Sequence, residues 1–190
     1  MARFAGITCY NFSRGGLTTK TWWGSTAYDL CFDGQHKCEA YIIALGVNDA
    51  IAQMTVGSSS DIDLSDYTQN ADSYYGNYGK IIQKIQELQP KAKIFVMTNP
   101  EAAENDGYNS AVRDMATIFD NVYIIDLRLY GRELFMSGQI RACHRNGHYN
   151  AVGYKLISKI ISTYIDWIVS HNLTEFNQVE LIGTDWSWNN

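Results

Sequence analysis

Four short segments along the chain are rich in Ile, Val, Tyr and Phe, and each is predicted to form a β-strand. They are ITCYNF at 7–12, AYIIALGV at 40–47, KIFVMTNP at 93–100 and VYIIDL at 122–127. Three of them are apolar almost without interruption, which is typical of strands covered on both faces in a parallel sheet. The pattern therefore predicts a buried, mostly parallel sheet.

Segments with helical spacing lie between and after these strands. The first predicted helix has an apolar face from Tyr78 to Leu88 and ends before Pro90, and a weaker stripe runs from Val112 to Phe119. The strongest pattern comes last and extends from Leu156 to Val169. We expect this last helix to cover one face of the sheet.

Strands that alternate with helices predict an α/β fold, here a three-layer, doubly wound, flavodoxin-like domain that spans residues 1–190, with a C-terminal tail at 173–190. Trp186 and Trp188 predict that the tail packs on the domain, with an aromatic contact surface as the alternative. The Ser-, Asp- and Gly-rich segment 55–73 predicts a long surface loop.

Ligands of such sheets bind beyond the carboxyl ends of the strands. Chemistry is therefore sought in the four segments that follow the predicted strands. These are NFSRGGLTT, GVNDA, TNPEA and DLRLYG.

Composition narrows the class of protein. The chain has 190 residues, 46% hydrophobic and 18% charged, with a net charge of −5 and a pI near 5.3. The apolar fraction excludes disorder, and the absence of any Lys/Arg block argues against nucleic acid or an anionic membrane as a partner. No apolar stretch approaches the ~20 residues of a membrane span. The start, MARFAGITCYNF, lacks a signal core, which favours a cytoplasmic protein.

The four cysteines, Cys9, Cys31, Cys38 and Cys143, are predicted to be reduced and mostly buried. His36 near Cys38 and His144 after Cys143 suggest a metal site only weakly, because no carboxylate or second cysteine stands at ligand spacing. We therefore expect no metal site.

Three segments near the predicted carboxyl edge carry candidates for catalysis. Asn48 follows the second strand and is able to donate to an oxyanion, although Asn and Asp also close turns and cap helices. Gly15 and Gly16 allow backbone N–H groups to approach a ligand, with Thr18 or Thr19 capping the next helix. His148 precedes the last helix, where a structural histidine is the usual alternative.

In this order, the three segments resemble the SGNH hydrolases, also called GDSL-type lipases and esterases. NFSRGGLTT is similar to the family's second block, GVND to the third, and HYNAVGY, with Asn150, Gly153 and Tyr154, to the fifth. The resemblance implies acyl transfer to a serine, with Gly16 and Asn48 as oxyanion donors and His148 as general base.

Two features depart from the family. The opening block, a strand ending in Gly-Asp-Ser that supplies the nucleophile, is absent from the 190 residues, and neither Ser13 nor Ser58 to Ser60 fits its place. We expect an N-terminally truncated domain whose missing central strand is supplied by a second fragment, another copy or a rearranged edge. Arg145 replaces the usual Asp, so a backbone carbonyl, Asp126 or another carboxylate would have to orient His148.

The resemblance implies hydrolysis of a small acyl ester, such as an acetylated carbohydrate, by a site that needs no cofactor. Because the nucleophile is absent, this chain alone is expected to have little or no serine-esterase activity. The alternatives are an inert module that binds a sugar or an ester, and a flavodoxin-like nucleotide binder, which lacks a suitable phosphate loop. Tyr74, Tyr75 and Tyr78 either line a carbohydrate site or pack on the sheet, as is more usual.

Overall fold

A computed structural model of the protein describes residues 7–101 and 106–176. Its centre is a sheet of three parallel strands, β1 (Ala40–Ile43), β2 (Lys93–Met97) and β3 (Val122–Ile125), in that spatial order. Three of the four predicted strands are confirmed, and each ends earlier than predicted.

Helices connect and cover these strands, and a two-stranded antiparallel hairpin precedes the last long helix. The hairpin consists of β4 (His144–Arg145) and β5 (His148–Tyr149). Two 3₁₀ helices, Ser59–Asp61 and Tyr67–Gln69, lie within the predicted 55–73 loop. The α-helices are α1 (Thr19–Trp22), α2 (Thr26–Cys31), α3 (Val47–Ile51), α4 (Tyr74–Leu88), α5 (Asp106–Ile118), α6 (Leu127–Tyr130), α7 (Arg132–Phe135), α8 (Gly138–Arg141), α9 (Ala151–His171) and α10 (Leu173–Phe176).

Alternate residues of the strands point to opposite faces of the sheet and enter two separate cores. Tyr41 and Val96 pack with Tyr78 of α4 and Met115 of α5 in the larger core. Phe95, Ile125 and Leu127 form the smaller core with Phe135, Ile140 and Ile168 of α9. Helices therefore cover both faces, which confirms the predicted three-layer α/β architecture.

The face under α9 is only partly covered. Ile42, on this face of β1, is 41% exposed. In α9, which carries apolar residues on several sides, Gly153 and Ile168 are buried, whereas Val152 and Trp167 are 60% and 57% exposed. A helix with apolar residues on several sides is normally enclosed by neighbours. Among the described residues, no strand pairs with the outer edge of β1.

The prediction of a strand at 7–12 is wrong. This segment has no regular secondary structure, and Ile7 and Tyr10 are 55% and 46% exposed. It is tied down by ring contacts of Tyr10 and Phe12 with His36 and by a hydrogen bond from the Trp22 indole to the Phe12 carbonyl, 3.1 Å long. Strand propensity alone does not make a strand, because a ladder needs a neighbour. No described strand pairs with the outer edge of β1, so segment 7–12 has no neighbouring strand there to which it could add.

Trp186 and Trp188 lie outside the described residues, so the packing of the tail stays a prediction. All four cysteines are free thiols, but only Cys31 and Cys143 are buried, and burial raises the pKa of Cys31 to about 12. In the described part of the chain, no helix has the length and apolar character that a membrane crossing requires.

Candidate active site

The turn after β1 is shaped by a glycine packed against a buried tyrosine. Gly46 has a φ of 128°, a conformation that favours glycine. A Cβ at this position would lie 2.6 Å from the Tyr74 hydroxyl oxygen. That hydroxyl donates to the Leu45 carbonyl over 3.1 Å. The turn therefore requires glycine before α3.

Asn48 lies in the first turn of α3 and joins the two loops that the sequence singled out. Its side-chain amide nitrogen donates to the Leu17 carbonyl over 3.0 Å. Because Leu17 is the next residue after Gly16, this bond places the Asn48 amide beside the glycine loop. The Asn48 side chain does not cap its helix, since Gly46 is the N-cap residue and makes no side-chain bond.

Asp49 gives the same two loops a second, buried connection. Its carboxylate accepts hydrogen bonds from the backbone N–H and the hydroxyl of Thr19, with the hydroxyl 2.6 Å away. Burial raises the pKa of Asp49, and the hydrogen bonds from Thr19 partly oppose that rise. Thr18 caps α1 through the Thr21 backbone N–H, as the sequence suggested for Thr18 or Thr19. The glycine loop is therefore held between a capped helix and α3.

Gly16 lies at the exposed turn of this loop. Its φ is 81°, in the left-handed region, and nothing lies within 4 Å of a Cβ built on it. Within residues 7–101 and 106–176, no group accepts a hydrogen bond from the Gly16 N–H. The N–H is therefore available to a ligand.

His148 lies on β5, at the end of a two-residue hairpin turn. Asn146 and Gly147 have φ values of 51° and 79°, as a type I′ turn requires, and Arg145 lies opposite His148 in register. The His148 side chain is exposed. The hairpin was missed in the sequence, although Asn-Gly is the strongest short-range signal for one.

Asn150 and Gly153 of the fifth block attach this hairpin to α9. The Asn150 side chain caps α9 by accepting from the Gly153 N–H over 3.0 Å. A Cβ on Gly153 would lie 2.9 Å from the Cys143 Cβ and 3.0 Å from the Tyr149 Cβ. Asn150 therefore caps α9, and Gly153 allows α9 to pack closely against Cys143 and Tyr149 of the hairpin.

Asp126, considered as a replacement for the carboxylate missing at 145, is engaged elsewhere. Its oxygens accept from Arg113 Nε over 2.6 Å and from the Thr98 hydroxyl over 2.9 Å, and its side chain caps α6 through the Leu129 N–H. Although burial raises its pKa, the hydrogen bonds from Arg113, Leu129 and Thr98 hold the pKa of Asp126 below its ordinary value. Asp126 therefore stabilises the fold around β3.

Glu101 is the carboxylate that contacts the hairpin. It follows β2 in the TNPEA segment, and its Oε1 lies 3.3 Å from His144 Nε2 and accepts from the Tyr149 hydroxyl. The sequence marked this segment as a place for chemistry but did not single out Glu101, because its partners are more than 40 residues away along the chain.

The structure thus joins the Gly16 loop to Asn48, and it places His148 on a separate hairpin that Glu101 ties to the end of β2. Among the described residues, no hydrogen bond or ring contact links His148 to Asn48 or Gly16. Their convergence around one substrate therefore stays a prediction. The described serines at 13 and 58–60 form no hydrogen bond with a histidine, and the Ser170 hydroxyl lies 3.1 Å from His171 Nδ1 at the far end of α9.

The three tyrosines considered for carbohydrate contact pack in the core instead. Tyr74 and Tyr78 are fully buried, and Tyr75 is 7% exposed. The Tyr78 hydroxyl donates to the Ile43 carbonyl over 3.2 Å. Tyr74 and Tyr78 therefore support the carboxyl end of β1, whereas the Tyr75 hydroxyl donates to Asp114 of α5.

A family model described as "GDSL-like Lipase/Acylhydrolase family" matches residues 1–156. The matched region includes Gly16, Asn48 and His148 and ends within α9. No curated protein and no solved structure matches the chain significantly.

Proposed function

This chain belongs to the GDSL-like Lipase/Acylhydrolase family, and we propose that it supplies the oxyanion hole and the general base of an SGNH-type serine ester hydrolase. Family membership supports a hydrolase of this type. The proposed substrate is a small acyl ester, such as an acetylated carbohydrate. The proposed chemistry uses side chains and backbone groups without a cofactor.

The observation that carries this proposal is the hydrogen bond from Asn48 to the Leu17 carbonyl. A side-chain amide has two N–H donors, and this bond uses one of them. The second Asn48 N–H and the Gly16 N–H then remain for a substrate oxygen that becomes negatively charged. Each such donor is typically worth about 3 kcal/mol of barrier.

His148 is the proposed base in both halves of the reaction. It takes the proton of the serine hydroxyl as the oxygen attacks the ester carbonyl carbon, and it returns that proton to the departing alcohol. A water then attacks the carbonyl carbon of the acyl-serine while His148 takes a proton from it. The bond between that carbon and the serine oxygen breaks, His148 returns the proton to the serine oxygen, and the carboxylic acid leaves. Gly16 and Asn48 hold the oxyanion formed in each attack.

The nucleophilic serine is proposed to come from outside these 190 residues. No described strand pairs with the outer edge of β1, and Ile42 on the adjacent sheet face is partly exposed. A strand that pairs in parallel with this edge would end beside Gly46 and Asn48, and a following helix would cover Ile42. A second fragment is an alternative source of such a unit, whereas a second copy of the chain would supply a pairing strand but not the serine.

A hydrolysis assay with p-nitrophenyl acetate tests where the nucleophile is. The 190-residue chain should release p-nitrophenol no faster than its His148→Ala variant, with His171→Ala as the control for an exposed histidine. Turnover that is lost in His148→Ala but kept in His171→Ala would place the nucleophile inside the chain and contradict this part of the proposal.

The coding sequence before the Met1 codon separates the enzyme from its alternative. An apolar run ending in Gly-Asp-Ser would support the hydrolase. Arg145 in place of an acidic residue is the observation that favours an inert module for binding a sugar or an ester. That alternative predicts ligand binding without turnover by the complete gene product.

A further inference from the structure

Glu101 contacts both strands of the hairpin that carries His148. On β4, His144 Nε2 lies 3.3 Å from Glu101 Oε1, and on β5 the Tyr149 hydroxyl donates to the same oxygen. The rings of His144 and Tyr149 also meet edge to face, with centroids 4.2 Å apart and planes at 88°. One carboxylate at the end of β2 therefore holds a packed pair of rings.

The register of the hairpin makes this contact relevant to His148. His144 lies opposite Tyr149, and Arg145 lies opposite His148 in the next pair toward the turn. His148 is thus one residue from Tyr149 along the chain and one pair from the position that Glu101 contacts. A shift of the Tyr149 backbone would move His148 with it.

The other end of the hairpin is fixed by α9. The Asn150 N–H donates to the Cys143 carbonyl over 2.8 Å, and Gly153 packs against the Cβ atoms of Cys143 and Tyr149. The base of the hairpin is therefore attached to α9, and its first residue pair is attached to β2 through Glu101. Only the pair of Arg145 and His148 and the turn extend beyond both attachments.

The chemistry of the contact favours a carboxylate over a neutral side chain. Burial and the neighbouring Glu101 carboxylate raise the pKa of Tyr149, so its hydroxyl keeps its proton and donates. His144 Nε2 is buried and has no hydrogen-bond partner among the described residues, and the Glu101 carboxylate oxygen 3.3 Å away is its neighbouring polar group. An oxygen with several lone pairs can serve both neighbours.

We propose that Glu101 is the positioning residue of this site, which acts through His144 and Tyr149 to hold His148 in place of the acidic residue missing at position 145. This inference rests on the proposed function, because His148 is the base only in that reaction. Glu101 itself touches neither His148 nor the reacting atoms.

The test compares Glu101→Gln and Glu101→Ala with Glu133→Gln, a control whose side chain is 94% exposed. Amide hydrogen exchange of residues 144–149 in the 190-residue chain should become at least about 10-fold faster in Glu101→Ala, while α4 keeps its protection. The ring ¹⁵N shifts of His144 should change in Glu101→Gln, because an amide nitrogen is able to donate to Nε2 where the carboxylate accepts. Exchange within about twofold of the wild type, or unchanged His144 shifts, would overturn the proposal.

The complete gene product separates this proposal from the proposed function. Glu101→Gln should lower kcat for ester hydrolysis about 10-fold with little change in KM, as a positioning effect on the base requires, and Glu133→Gln should change neither. Unchanged kcat in Glu101→Gln, with His148→Ala inactive, would overturn the positioning role alone. Hydrolysis that is insensitive to His148→Ala would overturn the proposed function and with it the role of Glu101 in catalysis.

Discussion

Thr19 donates both its backbone N–H and its hydroxyl to the carboxylate of Asp49, a residue 30 positions away along the chain. Both side chains are fully buried. The contact ties the first turn of α1, directly after the glycine loop, to the first turn of α3, which carries Asn48. The spacing between the two proposed oxyanion donors therefore depends on a buried polar contact rather than on apolar packing alone.

Thr19→Val tests the strength of this contact. Valine keeps the shape but removes the hydroxyl, so the buried Asp49 carboxylate loses a donor, and the free energy of unfolding should fall by about 1–3 kcal/mol. Urea denaturation measures this. Thr117→Val is the control, since the Thr117 hydroxyl is exposed and bonds within its own helix. An equal loss in both variants would contradict a special role for Thr19.

The raised pKa of Asp49 predicts the sign of a pH effect. Because burial favours the protonated carboxyl in the folded state, the stability that Asp49 contributes is fully present below its unfolded pKa. That contribution is lost as the pH rises through the folded pKa. The unfolding free energy of the wild type minus that of Asp49→Asn should therefore be larger at pH 3 than at pH 7. Denaturation curves at the two pH values that show no such change would refute this assignment.

Asp126 predicts the opposite sign, because its folded pKa is lowered. The stability that it contributes is present above its unfolded pKa and is lost as the pH falls through the folded pKa. Asp126→Asn should destabilise the protein by about 1–3 kcal/mol at pH 7, since it removes the charge-assisted hydrogen bonds from the partly exposed Arg113, and by less at pH 3. The exposed Asp120→Asn serves as the control. A penalty that grows toward low pH would be inconsistent with this ion pair.

Gly46→Ala should distort the turn before Asn48. Alanine is strained at a φ of 128°, and its Cβ would lie 2.6 Å from the Tyr74 hydroxyl oxygen. We expect a loss of about 2–4 kcal/mol in unfolding free energy, measured by urea denaturation. Tyr74→Phe in the same chain should recover part of the loss. Gly138→Ala should have little effect, because nothing lies within 4 Å of a Cβ built at that position. A loss of stability in Gly138→Ala as large as that in Gly46→Ala would contradict a specific requirement for glycine at position 46.

Much of the fold follows from local patterns. The apolar runs of β1, β2 and β3 and the stripes of α4, α5 and α9 predicted the layers, because burial imposes a period on each element. The segment at 7–12 has the composition of a strand but forms none. A strand forms only beside another strand, and the local sequence does not show whether such a neighbour is present. The β4–β5 hairpin was not predicted for a different reason. Its Asn146-Gly147 signal is present in the sequence, but the segment was assigned only to the residues preceding α9.

The candidate site was predictable where it follows the family pattern. Gly16, Asn48 and His148 came from that resemblance, and the bond from Asn48 to Leu17 supports the pairing of the first two. The partners of Glu101 and Asp49 were not predictable, because long-range side-chain contacts leave no local periodicity. The sequence also did not indicate that Asp126, considered as a substitute carboxylate, accepts hydrogen bonds from Arg113 and Thr98.

The most direct test of the central claim is the kcat of the complete gene product on an acetyl ester with Asn48→Ala. Removal of one oxyanion donor should lower kcat about 100- to 1000-fold. Asn77→Ala, which removes an exposed amide bonded to Asp72, should leave kcat within about twofold of wild type. A wild-type kcat in Asn48→Ala would contradict the assignment of this amide, and with it the oxyanion hole, whereas a selective loss would establish it.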